Sequence, residues 1–294
     1  MTIVKRGWFV GLLVGAMLAF SQQAAWAGPV IVDGGDLTDH GSRDLITGDN
    51  LQGWLYIEKA IMDLLPGVTR SGPFTTDLAA LGSADPGAGN FPASDAGGAI
   101  NSVADNLSLG LTFSNGSSNL TTFFSDLGSG AVNPRIIWLA GNGAANDLTS
   151  SEGAVLTANA SALNSFVTSG GGLMAIGFND NALGWLSALL PGISVDHGCD
   201  SDGATLTAAG MTAFPGLSNS DIDANAGPCH RHFSGDFGGL SVLALDGLDR
   251  PWILGGGSQT EIQGGVVPEP TSLLLFGLGG IGTGLINRRK QRKA

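Results

Sequence analysis

Cysteine, positive charge and long apolar runs are all scarce in this 294-residue chain, and each scarcity removes a class of function. Two cysteines cannot staple a multi-bridge scaffold, and neither Cys199 nor Cys229 sits in a recognised metal-ligand spacing. Lys and Arg total 13 against 25 Asp and Glu. Five of the cations crowd into residues 288–293 and two are Lys5 and Arg6, so the stretch between the ends keeps six against 24 acids. A charge near −18 on that stretch repels nucleic acid and anionic lipid, and tolerates divalent cations or neutral glycans. No Gly-x-Ser-x-Gly elbow occurs, so a serine-nucleophile signature is missing, and there is no internal repeat.

Unbroken apolar sequence is confined to the two ends. Lys5 and Arg6 precede a run from Gly7 to Phe20, and Ala25-Trp26-Ala27 supplies small residues at alternate positions. That predicts a signal helix in residues 1–27, with signal peptidase cutting between Ala27 and Gly28. The polar Ser21-Gln22-Gln23 stops the run short of the roughly 20 residues that a retained anchor needs. At the other end, Val267-Pro268-Glu269-Pro270 leads into an apolar, Gly-rich stretch at 271–286 and then a basic cluster, Asn287 to Lys293. The stretch is expected to be a single transmembrane helix whose basic flank stays cytoplasmic. Motif, helix and basic tail in this order resemble the PEP-CTERM sorting signal, here residues 266–294. The resemblance implies processing by an exosortase, an inner-membrane intermediate, and delivery to the cell surface or extracellular matrix of a Gram-negative bacterium.

Export bears on the cysteines. In an oxidising compartment a Cys199–Cys229 disulfide, closing a loop of about 30 residues, is the simplest reading. A metal site shared with His197 and His230, or two free thiols, remain as alternatives.

Between the ends, residues 28–265 alternate apolar strand-like runs with helical periods, which predicts an α/β sheet. Pro29-Val30-Ile31-Val32 reads as the first strand, and Leu51, Trp54, Leu55, Glu58, Ile61, Met62 and Leu65 as a helical stripe ended by Pro66-Gly67. Residues 71–98, rich in Gly, Pro, Ala, Ser and Asp, read as a loop-rich surface insertion. Arg135 to Ala140 is the clearest buried strand. Thr149-Ser150-Ser151-Glu152 has capping-box spacing, and Leu156, Ala160, Leu163 and Val167 continue one helix up to Gly170-Gly171-Gly172. Leu173 to Phe178 follows as a strand, and Leu240 to Leu245 and Trp252 to Leu254 as closing strands.

The run from Ser161 to Gly192, SALNSFVTSGGGLMAIGFNDNALGWLSALLPG, resembles the helix, glycine loop, strand and helix of class I glutamine amidotransferase-like domains, among them the ThuA-like proteins. The resemblance implies a flavodoxin-like parallel sheet with helices on both faces. It does not carry the activity, because the elbow after the strand reads Gly177-Phe178-Asn179-Asp180, with neither the amidotransferase cysteine nor the ThuA-like histidine.

Ligands in open α/β sheets bind at the carboxyl ends of the strands. Asp33, Asp36, Asp39 and His40 follow the first strand and could hold a divalent metal; an Asp/Gly-rich turn is the plainer reading. His230 and His232 would project to one face of an extended stretch, with Asp236 completing a site. Asn142, Asn146, Asn179 and Asp180 could hydrogen-bond a sugar. Two functions follow: a non-enzymatic surface or matrix protein binding exopolysaccharide, another envelope glycan or a cation, or a ThuA-like hydrolase with Asp36, His40, His230 and His232 around one crevice.

Overall fold

The computed structural model describes residues 28–141, 148–177, 183–200, 202–223 and 227–256. The chain divides into two units, Met1–Ile262 and Gln263–Ala294, and every described residue belongs to the first. In chain order the elements are β1 (Val30–Asp33), β2 (Gly41–Arg43), β3 (Asn50–Gln52), α1 (Gly53–Leu64), β4 (Thr76–Leu81), α2 (Ala96–Leu107), β5 (Leu111–Ser114) and α3 (Ser117–Ser129). They continue with β6 (Pro134–Leu139), α4 (Ser150–Ala158), α5 (Ala160–Thr168), β7 (Gly172–Ile176), α6 (Leu186–Leu189), β8 (Ile193–His197) and β9 (Thr205–Leu206). The last are α7 (Ala208–Ala213), α8 (Asn219–Ile222), β10 (Arg231–Gly235), β11 (Ser241–Leu245) and β12 (Pro251–Gly256).

Eight strands form one sheet in the order β5-β4-β6-β7-β1-β12-β11-β9. The first five are mutually parallel, and β12, β11 and β9 extend the sheet in antiparallel pairing. The fold is therefore mixed α/β with a mostly parallel sheet, and the closing strands are the part that departs from an all-parallel expectation. The cause is loop length: five residues, Asp246 to Arg250, join β11 to β12, and a parallel return needs a crossover of a dozen or more. Buried Asp246 holds that turn, accepting hydrogen bonds from the Leu248 and Arg250 amides at 3.0 and 2.8 Å and from Arg250 Nε at 2.9 Å.

Both faces of the sheet are covered, which is why β1 reads VIVD with no polar-out position. Ile31, Ile136, Trp138, Met174 and Ile176 pack with α1 and α2 on one face. Val30, Val32, Ile137, Leu139, Leu173 and Ala175 pack with α3, α4, α5 and α6 on the other. The capping box is present at α4, with Thr149 N 2.7 Å from Glu152 Oε2 and Glu152 N 3.3 Å from Thr149 Oγ1.

Three expectations are corrected. Residues 71–98 are not only surface loop, because β4 lies inside them and runs between β5 and β6 with Leu78 to Leu81 buried. Its Leu-Ala-Ala-Leu centre has weak strand propensity and no polar alternation, so burial on both faces left no pattern. The helix from Ser150 to Thr168 is two helices broken at Asn159, whose side chain donates back to the Val155 carbonyl at 2.9 Å. On α1 the buried face is Trp54, Ile57, Ala60, Ile61 and Leu64 with Tyr56, whereas Leu51 and Met62 are exposed. No described helix is long and apolar enough to cross a membrane; the signal helix in 1–27 and the apolar run 271–286 lie outside the described residues.

One buried acid in α1 makes stability depend on pH. Asp63 Oδ2 is buried without a hydrogen-bond partner, and burial raises its pKa to about 6 from 3.8. A folded value above the unfolded one favours folding fully below pH 3.8, and that contribution is lost as pH rises through 6. Asp63→Asn should therefore raise Tm by about 3–6 °C at pH 8 and by much less at pH 4, read by thermal denaturation at both values.

Candidate functional site

The site grows from the carboxyl end of β1. Asp33 Oδ1 accepts the Gly35 amide at 2.7 Å, turning the chain out of the strand. Gly34 and Gly35 then run against residues 228–231: the Gly34 carbonyl accepts from His230 N at 3.1 Å and Arg231 N at 2.7 Å, and Asp36 N donates to the Pro228 carbonyl at 2.9 Å. Glycine is required at both positions, since a Cβ on Gly34 would strike the Arg231 carbonyl and one on Gly35 the Pro228 carbonyl. The Cys199–Cys229 disulfide is formed, with Cα atoms 5.5 Å apart, and anchors the same loop.

This ladder delivers His230 to Asp36. His230 Nε2 lies 3.0 Å from Asp36 Oδ2, and His40 Nε2, from one turn further along the chain, lies 3.3 Å from Asp36 Oδ1. One buried carboxylate is thus bracketed by two imidazoles whose side chains are 29 % and 19 % exposed. Burial alone would raise the Asp36 carboxyl, but the His230 and His40 rings outweigh it and hold it below its ordinary value. Asp33, three residues earlier and wholly enclosed, goes the other way: burial pushes its carboxyl well above the usual range, and the Asp36 charge adds to this. Two neighbouring carboxyls are therefore shifted in opposite directions, Asp33 up by burial and Asp36 down by the two rings. Tyr56 of α1 borders Asp33 and packs edge-on against Phe214, with ring centroids 5.4 Å apart.

Topology makes the end of β1 a switch point of the sheet. Strands β7 and β1 are neighbours, yet the chain leaving β1 passes to α1 on one face and the chain leaving β7 to α6 on the other. Such a switch point is where open α/β sheets receive ligands. A separate open pocket of about 720 Å³, lined by Leu45, Asn90, Phe91 and Asp95 among others, includes none of these residues.

The remaining candidates fall elsewhere. His232 lies on β10 and places Nδ1 2.7 Å from the Gly198 carbonyl and Nε2 3.9 Å from Asp196. It does not join His230, because residue 230 precedes the strand and is bonded to Gly34 instead. Asp236 accepts the Gly238 amide at 2.9 Å and shapes a turn. His197 ends β8, exposed, opposite Arg231. Gly28 is buried against Gly170 and Gly171, while Ala27, Asn142, Asn146, Asn179, Asp180 and the motif Val267 to Pro270 lie outside the described residues. Tyr56 was missed, and its signal was available: it is the chain's single tyrosine, set inside an apolar helix.

If the disulfide fixes the loop, a paired Cys199→Ser, Cys229→Ser variant should lose about 3–4 kcal/mol in urea unfolding. In the same variant the NMR signals of the His230 ring should shift while those of His232 stay; an unmoved His230 would assign the loop's placement to the backbone ladder alone.

Comparison with known families reaches only the tail. Residues 266–291 match the PEP-CTERM protein-sorting motif. No curated protein and no solved structure matches the chain. The match supports an exported protein that passes through the membrane to the cell surface and is targeted to an exosortase.

Proposed function

We propose that this is an exosortase-processed cell-surface or extracellular-matrix protein of a Gram-negative bacterium, whose α/β domain binds an envelope or matrix glycan in the β1/β7 crevice without turning it over. The observation that carries the reading is the sorting motif at 266–291, set behind a domain that gathers Asp36, His40 and His230 at the exit of β1 and has no cysteine or serine nucleophile in a recognised motif. The acidic charge between the ends suits a neutral partner and disfavours polyanions. Processing would remove the signal peptide after Ala27 and act on the tail at Val267 to Pro270.

The second reading, a hydrolase of ThuA-like ancestry, is favoured by two observations. Asp36, His40 and His230 converge at the carboxyl end of a parallel strand. Counted from β4, the parallel strands run 2-1-3-4, and β1 takes the fifth place, as in a flavodoxin-like sheet whose last strand is supplied from the N-terminus. Fold descent does not by itself give activity, so binding is preferred.

Two measurements test this. In a host with an exosortase, removal of residues 266–294 should abolish surface delivery, followed by fractionation and intact mass; a truncated chain still displayed would sink the sorting reading. With the host's neutral exopolysaccharide, the full chain should bind without releasing new reducing ends, and Asp36→Asn should weaken binding. Reducing ends released by the wild type and not by Asp36→Asn would replace binding with hydrolysis.

A further inference from the structure

We propose that the outer edge of β5 is a self-association surface, on which a second copy of this chain adds its own β5 antiparallel about a two-fold axis at Thr112. The inference is independent of the crevice at β1. Strand β5 ends the sheet, and among the described residues no strand pairs with its outer side. Its inner side is used in full alternation. The Leu78 amide donates to the Gly110 carbonyl at 2.8 Å and the Gly82 amide to the Ser114 carbonyl at 2.9 Å, in a register that sets Leu78 opposite Leu111. Gly110, Thr112 and Ser114 therefore bond towards β4, and the N–H and C=O groups of Leu111 and Phe113 face away from the sheet.

Sheet edges of this kind are normally blunted by charge, proline or a cap. The opposite edge of this sheet follows that rule. Strand β9 has two residues, and its Leu206 amide donates to Asn219 Oδ1 at 2.9 Å. Nothing comparable guards β5. From Asn106 to Ser125 the chain carries neither a charged residue nor a proline. Leu107, Leu109, Leu111 and Phe113 are only partly buried and form an apolar rim to the core beside the open strand.

Two arguments choose a second copy as the occupant. The first is symmetry. With Thr112 facing Thr112 of the partner subunit, Leu111 stands opposite the partner's Phe113 and exchanges both backbone bonds with it, and the two-fold repeats the exchange. Leu111 and Phe113 share one face, so aliphatic meets aromatic across the axis, and the exposed Thr112 meets its own kind on the other face. The second is charge. Copies that carry six cations against 24 acids between their ends repel each other, and the cost is smallest where the surface is neutral. Acids near this edge are already answered: Asp77 by Arg135 at 3.3 Å and the Gly110 amide at 2.9 Å, Asp105 by Arg43 at 2.8 Å, and Glu152 by the Gly116 amide at 2.6 Å.

The test uses the full chain exported into a periplasm and held in mild detergent. Sedimentation equilibrium from about 1 to about 200 µM should show a monomer–dimer equilibrium with a Kd on the order of micromolar. Added salt should tighten it, since screening relieves repulsion between acidic copies. Thr112→Lys sets like charges across the axis and should raise the Kd by more than about tenfold, although it lowers the net charge; Thr121→Lys, exposed on α3, should stay within about twofold. Thr112→Cys should give a disulfide-linked dimer on mild oxidation, because facing residues of such a pair stand about 4.5–5.5 Å apart at Cβ. The wild type supplies a readout that needs no variant to fold: hydrogen exchange at the Leu111 and Phe113 amides should slow by more than about tenfold across that concentration range. A monomer throughout the range, a dimer that Thr112→Lys leaves intact, or edge amides that exchange at the same rate at every concentration each overturns the proposal.

Discussion

Strand β1 pairs in parallel with β7 on one edge and antiparallel with β12 on the other, so four residues, Val30 to Asp33, join the two halves of the sheet. Everything else is arranged around that double pairing. It commits β1 to burial on both faces, which Val30 and Val32 satisfy on one side and Ile31 on the other. It brings β12 beside the end of β1, where Trp252 packs under Gly35 and its carbonyl accepts the Gly34 amide at 2.9 Å. The disulfide-held loop can then lie across the exit of β1, and the crevice site follows from that placement.

The domain manages its acid excess in two ways. Surface carboxylates meet the few arginines, as in Arg43 with Asp105 at 2.8 Å and Arg135 with Asp77 at 3.3 Å, pairs that contribute little in water. The enclosed acids cannot rely on solvent. Asp246 is answered by Arg250 and three amides and Asp36 by two imidazoles, while Asp33, held by the Gly35 amide, has its carboxyl pushed upward by burial. Asp33 and Asp36 are thus shifted in opposite directions within three residues of each other. Structural carboxylates are more often treated as Asp246 is, with every oxygen satisfied by donors.

Periodic signals were read well where one physical effect dominated. The strand at Arg135 to Ala140, the capping box at Thr149 to Glu152 and the glycine stop after Thr168 each depend on a few adjacent residues, and each is present. Signals failed where tertiary burial overrode local preference. Strand β4 is Leu and Ala without alternation, and the buried face of α1 was misjudged because Leu51, Leu55 and Met62 are apolar yet not core.

By itself the sequence determined the sorting motif at the C-terminal end, the acid excess, the α/β alternation and the availability of one disulfide, because these depend on composition and on short contiguous patterns. Only the tertiary structure decided that His230 belongs with Asp36 and His40 while His232 does not. Residues 36 and 230 are far apart in the chain, and their meeting depends on a ladder between Gly34–Gly35 and Pro228–Arg231 that no local pattern encodes. The same is true of β1 as the shared edge of two sheet halves. Strand order is set by which buried faces fit together, and that choice is made by the whole core at once.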